Sequence, residues 1–277
     1  MKRLLLAAWL LSSACVYSAI YSIFELPPPC EGDNCPEVTW VPLERGEMTL
    51  SDASDAAVYP VSAFEMSQTE VTVGQFMACV DAGVCFLPPL DGEYRYYDDE
   101  LYCVLGATWN EANVARADVP INCITLRQMR RFAAWMGGRL PTRIEWVYAA
   151  TSQNKDGYLY PWGDSIPDDP CSHAAVHNAM GAGCGQGGLH EVCRFPAGHS
   201  DQGLCDLVGN VAEVVVDLDG TDDGEPDSYH LRGGFYQTST TYDGDRDADD
   251  LEVTSWRESR WDDVAVFAGF RIVREVP

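Results

Sequence analysis

Eleven cysteines in 277 residues restrict this chain more than any other feature. The first, Cys15, stands apart at the end of an apolar run that begins behind Lys2 and Arg3. A basic start, the apolar stretch Leu4 to Leu11 and the small residues Ser12, Ser13 and Ala14 make an export signal. Setting Cys15 aside leaves ten cysteines, an even number, bound for an oxidising compartment where disulfides persist. Loop-closure entropy favours partners close in sequence. The expected pairs are Cys30–Cys35, Cys79–Cys85, Cys103–Cys123, Cys171–Cys184 and Cys193–Cys205. No two cysteines have the Cys-x-x-Cys spacing, so neither a thioredoxin-type pair nor a zinc ribbon is indicated.

Cys15 directly after Ser-Ser-Ala resembles a bacterial lipobox, in which it would be lipidated and become the mature N-terminus; Ser12 sits where Leu is usual. Apolar character continues through Val16, Ala19, Ile20, Ile23 and Phe24, so an uncleaved anchor and plain secretion stay open beside the lipoprotein reading. All three place the folded part outside the cytoplasm, and the lipoprotein reading places it on a bacterial envelope membrane. Residues 1–24 read as the targeting segment, 25–38 as a Pro-rich linker and 39–277 as one domain. A net charge of −25 repels phosphate backbones, which argues against nucleic acid and leaves calcium and cationic partners compatible.

Along the domain, Trp40 to Leu43 and Tyr59 to Met66 are strand-like. Three Thr residues are each followed three positions later by Gln or Glu, the pattern of a capping box. Thr72 opens a helix through about Asp81 and Thr125 opens one stopped by Gly137-Gly138. Thr142 opens a third to about Ala150. From residue 151 helical periodicity disappears, and short strand-like runs follow at 211–216, 229–236 and 264–274. The Gly-rich stretch 181–188 lacks the Lys-Ser/Thr of a phosphate loop and reads as a disulfide-pinned loop. Early helices and late irregular strands give an α+β domain.

Oxygen donors around a Gly turn at 203–213, with Asp206 before it and Glu213 after, suit a hard cation or an internal bracket. His173 and His177, at i and i+4, could share a helix face; no carboxylate motif accompanies them. The acidic runs 217–227 and 243–250 read as solvated loops, and the second fails the EF-hand pattern at Ala248 and Thr254.

Six stretches in order resemble the formylglycine-generating (sulfatase-modifying factor) family. Glu70-Val71-Thr72 is similar to its "EVT", and Arg139-Leu140-Pro141-Thr142-Arg143-Ile144-Glu145-Trp146 to its "RLPTEAEWE". Tyr160 to Asp164 matches "YPWGD", and Gly203 to Glu213 resembles "GLYDMVGNVWEW". Arg232-Gly233-Gly234-Phe235 resembles "RGGSW", and Gly269-Phe270-Arg271 the closing "GFR". The resemblance implies a formylglycine-generating-enzyme fold, similar to the C-type lectins, with little regular secondary structure. Arg139, Arg232 and Arg271 stand beside large apolar anchors, which makes buried brackets with Glu145 or Glu213 plausible.

The family's enzymes oxidise a sulfatase cysteine with a copper ion held by two cysteines after the "RGGS" turn. Thiolates are the ligands that hold Cu(I). Aligned on Gly233-Gly234, those positions are Thr238 and Asp243, and no cysteine follows Cys205. The copper chemistry is therefore not expected. The His-rich motif that the family's iron-dependent relatives carry in an extra helical domain is not found either. Calcium is the better metal candidate: the resemblance implies ligands at Asp206, Gly209, Val211 and Glu213, with a second site beginning at Asn178. The first reading is thus a non-catalytic, lipid-anchored binding or assembly module. Loops at 86–120 and 236–262, which carry Tyr94, Trp109, Tyr242 and Trp256, would meet a protein or glycan. The alternatives are a metal-dependent oxidase of protein cysteines and a purely structural envelope lipoprotein.

Overall fold

A computed structural model describes residues 26–32, 35–52, 55–87, 116–216, 228–240, 251–252, 257–260 and 267–276. Cys15, Cys103, Asp243, both acidic runs and the loop aromatics Tyr94, Trp109, Tyr242 and Trp256 lie outside them.

Three early strands and a fourth open the domain: β1 (Trp40–Leu43), β2 (Gly46–Asp52), β3 (Asp55–Val61) and β4 (Phe64–Ser67). Helices α1 (Val73–Asp81), α2 (Leu126–Trp135) and α3 (Arg143–Ala150) follow. Strands β5 (Ala212–Val216), β6 (Ser228–Arg232), β7 (Arg257–Arg260), β8 (Ala268–Gly269) and β9 (Val273–Glu275) complete the order. β1, β4 and β9 form one antiparallel sheet, so the C-terminal strand closes against the N-terminal ones. β2 and β3 form a hairpin, and a second sheet runs β7-β6-β5-β8 with β5 and β8 parallel. This is the expected α+β domain with little regular structure.

The single strand expected over Tyr59 to Met66 is two. β3 stays paired with β2 up to the Gly46–Val61 rung, and β4 then pairs with β1 from the Leu43–Phe64 rung. Only Ser62 and Ala63 separate them, because consecutive ladders on opposite partners force the chain to change sheets there. The run at 229–236 stops at Arg232, since Gly233 and Gly234 take φ of +81° and +65° and leave the ladder. The run at 264–274 becomes β8 and β9, joined by the buried Phe270, Arg271 and Ile272 as the chain passes between sheets.

The helices begin where their Thr residues place them. In α1, Thr72 Oγ1 accepts from Gln75 N and Gln75 Oε1 accepts from Thr72 N, a closed capping box. Thr142 and Glu145 close the same box on α3. The box expected on α2 is only half made. Thr125 Oγ1 accepts from Gln128 N at 3.4 Å, but the buried Gln128 turns inward and its Oε1 accepts from Phe86 N at 2.9 Å. Glu145 does more than cap. Arg139 grips both its oxygens, at 2.7 and 2.6 Å, as the sequence led us to expect. Glu145→Ala removes the side-chain half of the capping box and this partly exposed bracket, and is expected to cost about 1–2 kcal/mol, read as a lowered thermal midpoint. An unchanged midpoint would count against the bracket.

Phe132 on α2 joins the elements at the centre, stacking on Phe76 of α1 and meeting Phe270 edge-on. A second apolar cluster gathers β1, β2, β4 and α3 around Trp146. Cys30–Cys35, Cys79–Cys85, Cys171–Cys184 and Cys193–Cys205 are bonded as expected. Cys123 is also disulfide-bonded; its expected partner, Cys103, lies outside the described residues. The stretch read as a linker is not loose throughout: Cys30 N donates to the Trp135 carbonyl at the end of α2.

Candidate functional site

The Gly-punctuated stretch 203–213 winds tightly before it becomes β5. Gly203, Asp206, Gly209 and Asn210 all take positive φ, from +52° to +87°. Each left-handed residue reverses the chain, which lets a short loop present groups inward from several directions. Gly209 is wedged against the 175 segment, where an added Cβ would fall 2.4 Å from the Ala175 carbonyl oxygen. Its N–H donates to Gly233 O, tying this loop to the Gly233-Gly234 turn.

Three carboxylates converge beneath the loop. Glu213 is 1% exposed and holds Arg271, itself 0% exposed, through two bonds of 2.6 Å. Its Oε2 also accepts from Trp146 Nε1 at 2.7 Å. Arg271 engages all its donors: besides Glu213 it bonds the carbonyls of Ser67, Gln68 and Cys205. Asp206 Oδ2 accepts from Cys193 N. Glu70, fully buried, accepts from Asn210 Nδ2 at 3.0 Å and Val211 N at 3.3 Å. Asn210 completes the set, its Oδ1 accepting from His190 N.

Charge within this cluster does not balance. Full ionisation of Glu70, Asp206 and Glu213 would set three negative charges against the Arg271 guanidinium. Burial, reinforced by Asp206 and Glu213, pushes the Glu70 carboxyl well above the usual carboxylate range. Burial likewise pushes Asp206 up to about 6, although the Cys193 N–H and Arg271 oppose it. A buried divalent cation would offset that excess, so the donor set fits calcium in charge and in ligand type. Glu213 Oε1 accepts only from Arg271 Nη2 among the bonds described, which leaves it a lone pair toward an ion.

The remaining expected residues are distributed differently. Asn178 Oδ1 accepts from Met180 N and so closes an Asx turn. His173 and His177 do not share a helix. A 3-10 turn, Pro170–Ser172, ends at His173, whose ring meets Trp162, whereas His177 pairs with Ser239 in an isolated bridge. Thr238, at the first copper-cysteine position, is 1% exposed. Its Oγ1 accepts from Phe235 N at 2.9 Å, so the hydroxyl closes a turn inside packed structure. Glu70 and Asn210 carried no role in the sequence reading. Glu70 lies 140 positions from the Asn210 it meets, and the one available signal was its place in the "EVT" motif.

Comparison with known proteins places these features. The family described as sulfatase-modifying factor enzyme 1-like domain matches residues 23–276. A hercynine oxygenase of Mycolicibacterium thermoresistibile is 30% identical over 199 residues, covering 64% of this chain and 41% of that protein. Inactive Cα-formylglycine-generating enzyme 2 of Bos taurus is 35% identical over 100 residues, 35% of this chain and 33% of that one. A formylglycine-generating enzyme of Mycobacterium tuberculosis is 30% identical over 183 residues, 61% of this chain and 55% of the other. The chain thus spans between a third and just over half of these relatives. Among solved structures, PvdO from Pseudomonas aeruginosa superposes with a TM-score of 0.59 at 20% identity, over 91% of this chain and 98% of that one. Treponema denticola variable protein 1 does so with a TM-score of 0.61 at 16% identity, over 87% and 96%. At such identities the likeness is one of fold. Matched along nearly its whole length, and carrying the buried bracket between its "GFR" arginine and its Gly-turn glutamate, the chain belongs to the sulfatase-modifying factor enzyme 1-like family.

Proposed function

We propose that this protein is an extracytoplasmic lipoprotein, anchored in a bacterial envelope through Cys15, whose domain binds a protein or glycan partner without catalysing a reaction. One observation carries the non-catalytic reading: the two positions that would hold copper are Thr238 and Asp243, and no cysteine follows Cys205. A hydroxyl already closing a turn is no substitute for a thiolate toward Cu(I). The test is copper loading of the purified protein, incubation with a Cys-x-Pro-x-Arg peptide and mass spectrometry. The peptide mass is expected to stay unchanged, and loss of mass at its cysteine would overturn the reading.

Calcium at Asp206, Gly209, Val211 and Glu213 belongs to the same proposal, as a structural ion holding the loop. It would act by offsetting the carboxylate excess, while Arg271 and Asn210 keep the loop in place. Saturating calcium is expected to raise the thermal midpoint by about 5–10 °C over chelator-treated protein, the mass-action effect of an ion well above its Kd. Asp206→Leu, which removes the oxygen donor, should remove most of that difference, and equal midpoints with and without calcium would refute the site. The further position at Asn178 is checked by counting bound calcium in equilibrium dialysis, where N178A would lose a second equivalent.

A metal-dependent oxidoreductase is the second reading, favoured by the 30% identity to hercynine oxygenase and to a formylglycine-generating enzyme. Activity in the peptide assay would select it. Among the described residues no helix is long and apolar enough to cross a membrane, so the proposed attachment rests on the N-terminal segment. Palmitate labelling of the expressed full-length chain, abolished in C15A, is the expected result.

A further inference from the structure

A second donor cluster lies just outside the buried carboxylates, and its side chains take no part in the function proposed above. The Sγ atoms of Cys193 and Cys205 and one ring nitrogen of His199 all lie within 4.8 Å of one another. His199 follows the 3-10 turn Pro196–Gly198. That turn is pressed against the preceding loop: a Cβ on Gly198 would fall 1.8 Å from the His173 carbonyl oxygen. The backbone leading into His199 is therefore fixed by packing. The imidazole Nε2 is enclosed and has no hydrogen-bond partner among the described residues. A buried polar atom normally finds a partner, and one left without asks for an explanation. The two cysteines differ in access. Cys205 is fully buried, whereas Cys193 is half-buried on a left-handed turn, with φ of +59°. The pair can be approached from the Cys193 side.

We propose that Cys193, His199 and Cys205 form a redox-gated site for a divalent zinc-like ion, closed while the cysteines are bonded and open once they are reduced. An external dithiol supplies the reducing step. One of its thiolates attacks Cys193 Sγ, the Cys193–Cys205 bond breaks, and the Cys205 sulfur departs with the electron pair. The second thiol of the reductant then displaces Cys193 from the mixed disulfide. Two electrons pass to the protein cysteines and the dithiol ends as a disulfide, its two protons passing to the released sulfurs or to solvent. Zinc then displaces protons from the two thiols and takes the neutral imidazole as third donor. The geometric change is small. Sulfurs about 2.0 Å apart in a disulfide must part to about 3.8 Å, the edge of a tetrahedron with zinc–sulfur bonds of about 2.3 Å. The half-buried Cys193 end of the loop can supply that movement. Three protein donors leave a fourth position to water.

The experiment uses the folded protein with its native cysteines. It is treated with a water-soluble phosphine, so that no added thiol competes for metal, then loaded with zinc and desalted. About one more equivalent of zinc is expected in the reduced protein than in the oxidised protein or in reduced His199→Gln, which keeps every cysteine. Alkylation followed by peptide mapping gives the second readout. Zinc should slow labelling of Cys193 and Cys205 by about tenfold or more while leaving Cys171 and Cys184 unprotected. Equal zinc in the wild type and H199Q, or labelling of Cys193 and Cys205 that zinc does not change, would overturn the proposal. Unfolding on reduction gives the second of these outcomes, so it also counts against the site.

Discussion

Arg271→Met is expected to destabilise the protein by about 3–5 kcal/mol, the range for removing one partner of a buried ion pair. The size follows from what the substitution leaves behind. Glu213, 1% exposed, would be left with the Trp146 N–H as its one side-chain partner among the described residues. The carbonyls of Ser67 and Cys205 would lose the Arg271 donor as well, and the Gln68 carbonyl would keep Cys205 N alone of its two. Those three carbonyls belong to the end of β4 and to the Gly-turn loop, so one guanidinium bonds β4, the loop and β5 together. Urea denaturation under oxidising conditions measures the loss. The double variant R271M/E213L separates the two causes. It removes the stranded carboxylate and should recover part of the stability, while the bonds from the guanidinium to the backbone carbonyls stay lost. A single variant within about 1 kcal/mol of the wild type would mean that the bracket is not what holds these elements together.

Gly209→Ala ranks next, at about 3 kcal/mol or more. Two effects combine there. A non-glycine residue at φ of +78° carries the left-handed penalty of about 1–2 kcal/mol. The added Cβ also meets the Ala175 carbonyl at 2.4 Å, and a backbone atom cannot rotate aside. Gly203→Ala is the control, because Gly203 has φ of +87° and no heavy atom within 4 Å of the added Cβ. It should show the conformational penalty alone. Thermal or urea unfolding of both variants reads the difference, and equal losses would show that the close approach at Ala175 contributes nothing. Since Asn210 N donates to the same Ala175 carbonyl, G209A should also weaken the calcium response.

Local chemistry was legible in the sequence where it is settled within a few residues. Thr72 and Thr142 mark helix starts because the bonds that cap a helix span three positions. Four of the expected disulfides close loops of 5 to 13 residues, where entropy favours the nearest partner. Features set by distant partners were not legible. Gln128 fits a capping box on spacing alone, yet it answers to Phe86, 42 positions away. Tyr59 to Met66 reads as one strand, and which sheet each half joins depends on β2 and β1. The candidate site divides in the same way. Asp206 and Glu213 flank one turn and can be picked out together. The fully buried Glu70 enters from the far side of the domain, and no periodicity marks a carboxylate whose surroundings come from residues 206–213.

The bond between Cys30 N and the Trp135 carbonyl also sets a length. Fifteen positions separate Cys15 from Cys30, where the chain is already fastened to the end of α2. On the proposed lipid anchor, that leash could stretch to about 50 Å at most and as a flexible chain would average about 20 Å. A domain held so short meets only what comes within that distance of its own bilayer. Lengthening the leash, without touching the domain, would then extend its working radius and leave its intrinsic affinity unchanged.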